Sequence, residues 1–363
     1  MPEVVVVGAG VAGLCAASEL VQAGLRVVVL EKSRGVGGRM ATRRIGEAVF
    51  DHGAQYFTIR GRAFGNVVGD AHRVGVVAKW CDGFPRGGAV VGGPGEVIEP
   101  SGEDLAARWR GVRGMTDLAK RIVEATADAS KENGAFEVRT AAKVVAVGSD
   151  GERVRIALEA DEPLLAAAAI VTSPAPQSLD LFRAEGGCLA GHGGGTDPDA
   201  VLRLEAIRYD PCFALMLVLD RPSLVPPPGG VRFDDGPVSW IADNLAKGIS
   251  PVPSLTVHAS PGFSAAHFDD PPDTVMDRLV DAARPWIDGD PATVIRERSL
   301  HRWKFSLATR SDPSPMVAVS TTPPIVCCGD GFGGGRVEAA ASSGLAAGRW
   351  VARVLASGGP RSR

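Results

Sequence analysis

"VVVVGAGVAGLCAASELVQAGLRVVVLEKS", residues 4–33, decides the fold. Val4–Val7 and Val27–Leu30 are continuous apolar runs, the pattern of strands covered on both faces in a parallel sheet. Between them Gly13–Gly24 reads as a helix with small residues on one face, ended by Gly24 as its cap. Gly8, Gly10 and Gly13 form a G-x-G-x-x-G between strand and helix. The first glycine permits a tight turn, the second lets backbone approach a diphosphate, and the third allows close helix–strand packing. The helix N-terminus offers free N–H groups and partial positive charge to phosphate. Glu31 ends the second strand, where a carboxylate can accept the hydroxyls of an adenosine ribose and repel a 2′-phosphate. Strand, glycines, helix, strand and acid together specify a dinucleotide site but leave NAD and FAD both open.

Outward from this unit the chain alternates in texture. Val74–Arg110 breaks into short apolar runs cut by Gly and Pro, as in an antiparallel sheet. Gly114–Ala129 is helical in period. Phe136–Val147 and Val154–Leu158 read as a strand pair turning at Ser149–Gly151, and Ala167–Thr172 as another buried strand. Glu185–Asp199 and Arg221–Gly230 are too rich in Gly or Pro for regular structure. Strands follow at Ala214–Asp220, Val238–Ala242 and Leu255–Ser260, a helix at Thr274–Trp286, and strands at Ala292–Trp303 and Ile325–Cys328. A glycine loop then enters a terminal helix. The fold class is α/β: a Rossmann-type dinucleotide domain (residues 1–70, 112–178 and 322–363) interleaved with an α+β substrate domain on an antiparallel sheet (71–111 and 179–321).

Composition narrows the function classes. The chain has 363 residues, 45% hydrophobic, with a formal net charge of −3. That charge argues against nucleic acid or an anionic membrane as partner. The six cysteines show no C-x-x-C and no zinc spacing, so no metal is expected. They read as buried or free thiols of a reducing compartment, such as the cytoplasm. The apolar start lacks a basic n-region, so it does not read as a signal peptide, and no run is long enough to span a bilayer.

"RGVGGRMATRR" (Arg34–Arg44) puts a glycine-and-arginine loop where an NAD domain would enter its next βαβ unit. Gly37–Thr42, "GGRMAT", is similar to the G-G-R-x-x-[ST] motif of the flavin amine oxidase superfamily. Asp51–Thr58, "DHGAQYFT", resembles the D-x-G-A-Q-Y-F segment of the renalases. "RGMTDL" (113–118), "TSPAPQ" (172–177), "HAS" (258–260), "HRW" (301–303) and "CGDGFGGGRVEAAASSG" (328–344) follow in the order that family shows. The chain departs from it at Phe263, Phe305 and Gly331, where those renalases carry Trp, Tyr and Trp.

The resemblance implies non-covalent FAD. Gly8, Gly10, Val11, Ala12, Gly13, Glu31 and Lys32 would hold its AMP half, with Val144 on the adenine side through its backbone. Gly38, Arg39 and Met40 would meet the diphosphate and ring, and Gln55, Tyr56 and Phe57 would lie near the isoalloxazine. Thr172 and Asp330 join this set, Asp330 on the ribityl–phosphate chain. Arg336, Val337 and Glu338 would open a helix aimed at the flavin pyrimidine. It further implies an oxidase taking a hydride from 2- and 6-dihydro isomers of NAD(P)H, with O2 as acceptor, giving NAD(P)+ and H2O2. Oxidation or desaturation of an amine, porphyrinogen or polyene is the alternative on the same scaffold, and a non-catalytic flavin-binding protein is the alternative of another class.

For substrate contact the candidates are His258, in the apolar strand "LTVHAS", and Arg302 and Trp303, as polar anchor and stacking face. His301 should face away from Arg302 if the strand continues. Lys304 sits outside the motif context of the lysine that amine oxidases place near the flavin.

Overall fold

A computed structural model describes residues 2–87, 97–132, 134–190 and 196–357. Val4–Val7 is buried along its whole length and pairs in parallel with Val27–Leu30 on one side and Ala168–Val171 on the other. The six-stranded sheet runs Val317–Thr321, Pro324–Cys327, Ala168–Val171, Val4–Val7, Val27–Leu30, Phe136–Arg139, and only the first strand is antiparallel to its neighbour. Strands buried on both faces need no polar alternation, which is why the valine runs are continuous.

Period 2 splits the valines between two layers. Val4 and Val6 pack with the helices Val11–Gln22, Thr116–Ala129 and Val337–Ser357. Val5 and Val7 pack beneath a three-stranded antiparallel sheet of Val144–Asp150, Arg153–Leu158 and Leu164–Ala166. The first and last helices touch backbone to backbone. A Cβ on Gly344 would strike the Ala12 carbonyl oxygen, and one on Gly348 would sit 2.7 Å from that of Ala16. Small residues on both helices therefore bring the chain's two ends together at close-packed density.

The second sheet has seven strands: Ile295–Arg310, Arg208–Leu219, Ser254–Ala259, Val238–Asp243, Gly230–Phe233, Arg86–Gly87 and Val97–Ile98. Phe213, Leu215 and Leu217 face the helix Pro272–Ala283. Met216, on the other face, packs on Ile45, Ala48 and Phe50 of the hairpin Thr42–Ile45/Ala48–Asp51. That second face looks toward the dinucleotide domain.

Among the boundaries that differ from the sequence expectation, three have a clear local cause. Phe136–Val147 is not one strand: Phe136–Arg139 joins the parallel sheet, Ala141 takes φ 55°, and Val144–Asp150 starts afresh in the antiparallel one. Ala292–Trp303 opens as a helical turn, Pro291–Val294, capped by the Asp290 carboxylate on the Ala292 N–H, and its strand runs on to Arg310. The loop ending at Asp199 already contains the start of the helix Pro198–Ala206, capped by Asp197; residues 191–195 lie outside the described residues. An Asp–Pro pair, the aspartate as cap and the proline as first helical residue, explains both misread starts. No described helix is long and apolar enough to cross a membrane.

Candidate functional site

One cavity of about 880 Å3 runs from the first βα turn to the face of the seven-stranded sheet. Gly8, Gly10, Val11, Ala12, Glu31 and Lys32 line its first end, and Cys212, His258, His301 and Trp303 its far end. Val144 and Thr172 stand beside that first end, and Gly38, Arg39, Met40, Asp330, Arg336 and Val337 line the stretch between.

The first end is built from backbone. Gly8 takes φ +104°, and a side chain there would strike Thr172 Oγ1 at 2.5 Å, so glycine is needed on both counts. Thr172 Oγ1 is fixed by donating to the Val7 carbonyl at 2.9 Å. A Cβ at Gly10 would meet nothing within 4 Å, which leaves open space over the helix that follows. That helix has no side-chain cap, so its leading amides are available to a ligand. A Cβ on Gly13, which does not line the cavity, would collide with the Gly8 carbonyl oxygen, the close packing expected of the third glycine. Buried Glu31 accepts from the Ala9 N–H at 2.9 Å and the Ser33 N–H at 2.8 Å. Each carboxylate oxygen keeps a further lone pair for a hydroxyl.

In the middle, Arg39 forms a two-pronged pair with Asp330 at 2.5 and 2.6 Å and donates to the Phe305 carbonyl at 3.2 Å. Motifs some 290 residues apart in sequence thus share one charge-assisted contact. At Gly331 nearby, a Cβ would lie 2.7 Å from Tyr209 Oη, so a larger side chain there would require Tyr209 to move.

The far end is set by register. His258 and His301 both stand opposite Ala214, one on each neighbouring strand, and Trp303 stands opposite Cys212. The four therefore share one sheet face, with only small side chains between the histidines. His52 enters from the dinucleotide domain, stacked on Trp303 (centroids 5.3 Å, 21°) and edge-on to His301 (4.9 Å, 80°). Trp303 Nε1 donates to the His52 carbonyl at 2.8 Å. Burial lowers the His52 pKa to about 3, helped by His301, Arg43 and His258. Burial lowers His258 to about 4, and His301 is lowered by burial and Arg43. These imidazoles are neutral at physiological pH. The Cys212 thiol is pushed up to about 12 by burial, so it is not a thiolate nucleophile.

Other expected residues stand elsewhere. Arg302 contributes to the wall, but its guanidinium turns to the opposite face, over Phe213 at 5.7 Å and donating to the Asp270 carbonyl at 2.5 Å. Phe57 is core, edge-on to Phe64. Tyr56 sits with Phe84 and Trp240. The Glu338 carboxylate accepts the Arg60 and Gly61 N–H groups, holding the start of the helix Arg62–Arg73. Gln55 lies behind the wall, its Nε2 bonded to the Asp51 carbonyl and 3.5 Å from His258 Nε2. Lys304 is exposed over Phe305 and lines the cavity.

Lys247 and His52 escaped the sequence reading. Lys247 and Asp51, both fully buried, pair at 2.7 Å and tie the hairpin Thr42–Ile45/Ala48–Asp51 to the turn after Val238–Asp243. Asp51 also accepts from Thr42 Oγ1 and the Met115 N–H, and Lys247 reaches Gln55 Oε1 at 3.4 Å. Desolvation pulls the Lys247 ammonium below its ordinary pKa, with Asp51 opposing. A lone lysine in "DNLAKGIS" carries no sequence signal of burial. His52, the variable position of the D-x-G-A-Q-Y-F segment, was likewise unmarked. No group of three or more His, Cys, Asp or Glu among the described residues is arranged to hold a metal.

Residues 6–69 match the NAD(P)-binding Rossmann-like domain family. Over 70 residues the chain is 47% identical to a lysine-specific histone demethylase 1 homolog of Arabidopsis thaliana, a match covering 18% of this chain and 8% of that protein. The whole fold is similar to cyclohexylamine oxidase from Brevibacterium oxydans (TM-score 0.69, 12% identity, 98% of this chain and 99% of that one). It is also similar to putrescine oxidase bound to putrescine (TM-score 0.68, 15% identity, 98% and 99%). The chain therefore carries an NAD(P)-binding Rossmann-like domain within the mixed α/β fold of the amine oxidases.

Proposed function

We propose that this chain is an FAD-dependent oxidoreductase that oxidises dihydropyridines, with 2- and 6-dihydro isomers of NAD(P)H as substrates. O2 would be the final acceptor, giving NAD(P)+ and hydrogen peroxide. One observation carries the reading: the far wall of the cavity is aromatic and uncharged, made of Cys212, His258, His301 and Trp303 beside His52. It offers no carboxylate to an ammonium group. The cavity's acids are Glu31, Asp180 and Asp330; Glu31 holds two backbone amides and Asp330 holds Arg39, while Lys32, Arg39, Lys143, Lys304 and Arg336 add positive charge to the lining. A planar, uncharged ring on an anionic dinucleotide suits that distribution better than a protonated amine.

The residues present fit FAD: an open cradle at Gly10, uncapped helix amides and a buried acid lie on the same cavity as the aromatic wall. Gly8, Gly10 and the helix start would take the diphosphate, Glu31 the ribose, and Arg39, steadied by Asp330, would add a fixed positive charge. Bound flavin supplies the hydride-accepting ring and the redox couple. The far wall would stack the substrate ring, keep water away and hold it in one orientation. No side chain needs to move a proton, since a dihydropyridine gains aromaticity on losing hydride.

The test is anaerobic mixing of the purified, flavin-loaded protein with 2-dihydroNAD while following the oxidised-flavin absorbance. Rapid bleaching is expected, with putrescine, cyclohexylamine and a protoporphyrinogen ineffective. Bleaching by one of those instead would transfer the reading to the amine or porphyrinogen class, and none with any donor would leave a binding protein.

A further inference from the structure

We propose that Arg336 is a specificity-determining residue: its guanidinium binds the diphosphate of a dinucleotide substrate at the mouth of the cavity, an assignment that rests on the function proposed above. Three arginines line the cavity. Arg39 is paired with Asp330, and Arg302 donates to the Asp270 carbonyl on the opposite face of its strand. Arg336 is exposed, and its side chain has no hydrogen bond or ion pair among the described residues. The acid nearest to it in sequence, Glu338, is committed to the Arg60 and Gly61 amides.

The helix that follows does not account for an arginine here. Arg336 immediately precedes Val337–Ser357, and its carbonyl accepts the Ala340 N–H at 3.0 Å. That position favours Ser, Thr, Asp or Asn, and a cation beside a helix N-terminus is disfavoured. The loop before it packs closely on the strand Ile295–Arg310: a Cβ on Gly335 would lie 2.8 Å from Leu307 Cδ1 and 2.9 Å from the Ala308 carbonyl oxygen. Leu307 stands opposite Asp210 and Trp303 opposite Cys212, so four residue steps on one strand span two on the other. The two positions are therefore only about 7 Å apart along the sheet, a gap that one sugar can span. A cavity of about 880 Å3 is the size of a site for one ligand, commonly about 300–1,000 Å3. With FAD in the first end and the middle, room remains for a substrate ring at Trp303. The phosphates that follow that ring then lie at the mouth, beside Leu307, Lys304 and Arg336. A guanidinium takes two phosphate oxygens at once, whereas Lys304 adds a point charge.

The experiment is anaerobic rapid mixing of wild type, Arg336→Gln and Arg336→Lys, all full-length and flavin-loaded, with two donors. One is 2-dihydroNAD; the other is the matching dihydronicotinamide riboside, which has the ring and sugar without phosphate. Arg336→Gln should raise the half-saturating concentration of the dinucleotide about tenfold at low salt, and that of the riboside by less than about twofold. Arg336→Lys should recover part of the loss, since the charge returns without the fork. The wild-type preference for dinucleotide over riboside should shrink toward that of Arg336→Gln as ionic strength rises to about 1 M. FAD titrated into the apoproteins should bind wild type and Arg336→Gln alike. Equal half-saturation by the dinucleotide in those two proteins would overturn the proposal. So would a loss shared by the riboside or by FAD, which would put the guanidinium on the ring or on the flavin. Reduction of wild type by neither donor would refute the function proposed above, and the diphosphate assignment would fall with it.

Discussion

The two ends of the cavity are built by different means. At the first end, one contiguous stretch does the work: Gly8, Gly10 and Glu31 act through backbone amides, missing side chains and one carboxylate. At the far end nothing is contiguous. His52, His258, His301 and Trp303 come from three separate stretches, and register and packing alone bring them together. The first end should therefore depend on individual atoms, and the far end on whatever holds the seven-stranded sheet against the segment that carries His52. Lys247–Asp51 is the buried link behind that wall.

Breaking this link should give the largest effect. Lys247→Met leaves the Asp51 carboxylate buried without its cation and should cost about 3–5 kcal/mol of stability, measured as the shift of the first urea transition. The double variant Lys247→Met/Asp51→Asn removes both charges and should lose clearly less. If the single variant is as stable as wild type, the far end does not depend on this pair. If the double variant is the worse of the two, the loss lies in packing over Trp80, where Nζ sits 4.8 Å from the ring centroid.

Acid should act next, and on the far end. His258 and His52 titrate at about 4 and about 3 in the folded protein, below the usual histidine value of 6.5. Between those values the unfolded chain binds more protons than the folded one, so stability is full above about pH 6.5 and falls as pH drops toward 4. Each group contributes a slope of about 1.4 kcal/mol per pH unit in that window. His258→Asn should flatten the measured slope between pH 6 and 5 by roughly that amount. An unchanged slope would mean that His258 is charged in the folded state.

These two ends also differ in how much of them a sequence can display. The glycines, Glu31 and the βαβ unit were legible because their spacing is local and each residue type has one physical reason to be there. The parallel sheet followed from unbroken valine runs. The aromatic wall was half legible: His258 and Trp303 could be nominated, but that Ala214 stands between two histidines is a fact of register among three strands distant in sequence. Arg302 shows the same limit. As a polar anchor beside Trp303 it looked suited to a ligand, yet alternation sends its guanidinium to Phe213 and Asp270. Lys247 was invisible because a lysine in a polar turn reads as solvated until a distant segment, here the one carrying Asp51, covers it.

At the first end, Glu31→Ala should weaken FAD binding to the apoprotein about 10- to 100-fold, the worth of hydrogen bonds to a charged group. Part of that loss is indirect, since the Ala9 and Ser33 amides lose their acceptor. Glu31→Gln separates the contributions: its amide still supplies an acceptor to one of the two backbone donors, so it should fall between alanine and wild type. Equal affinity in all three proteins would remove Glu31 from the ribose.

The smallest effect tests whether the far end selects by shape or by charge. Lys304 is exposed at the rim of the cavity, so its field acts largely through water. Lys304→Gln should weaken NAD+ about twofold at low ionic strength, as a charge several ångströms from a phosphate in high dielectric would. The difference should vanish near 1 M salt, where screening is complete within about 3 Å. Nicotinamide, which has the ring without the phosphates, should bind both proteins alike at every salt concentration. A Lys304 effect on nicotinamide itself would mean that charge reaches the ring, and the division between a shape-selecting wall and a charged rim would fail there. If the NAD+ effect instead survived high salt, Lys304 would be making a direct, desolvated contact, and the rim would belong to the binding site as much as the wall does.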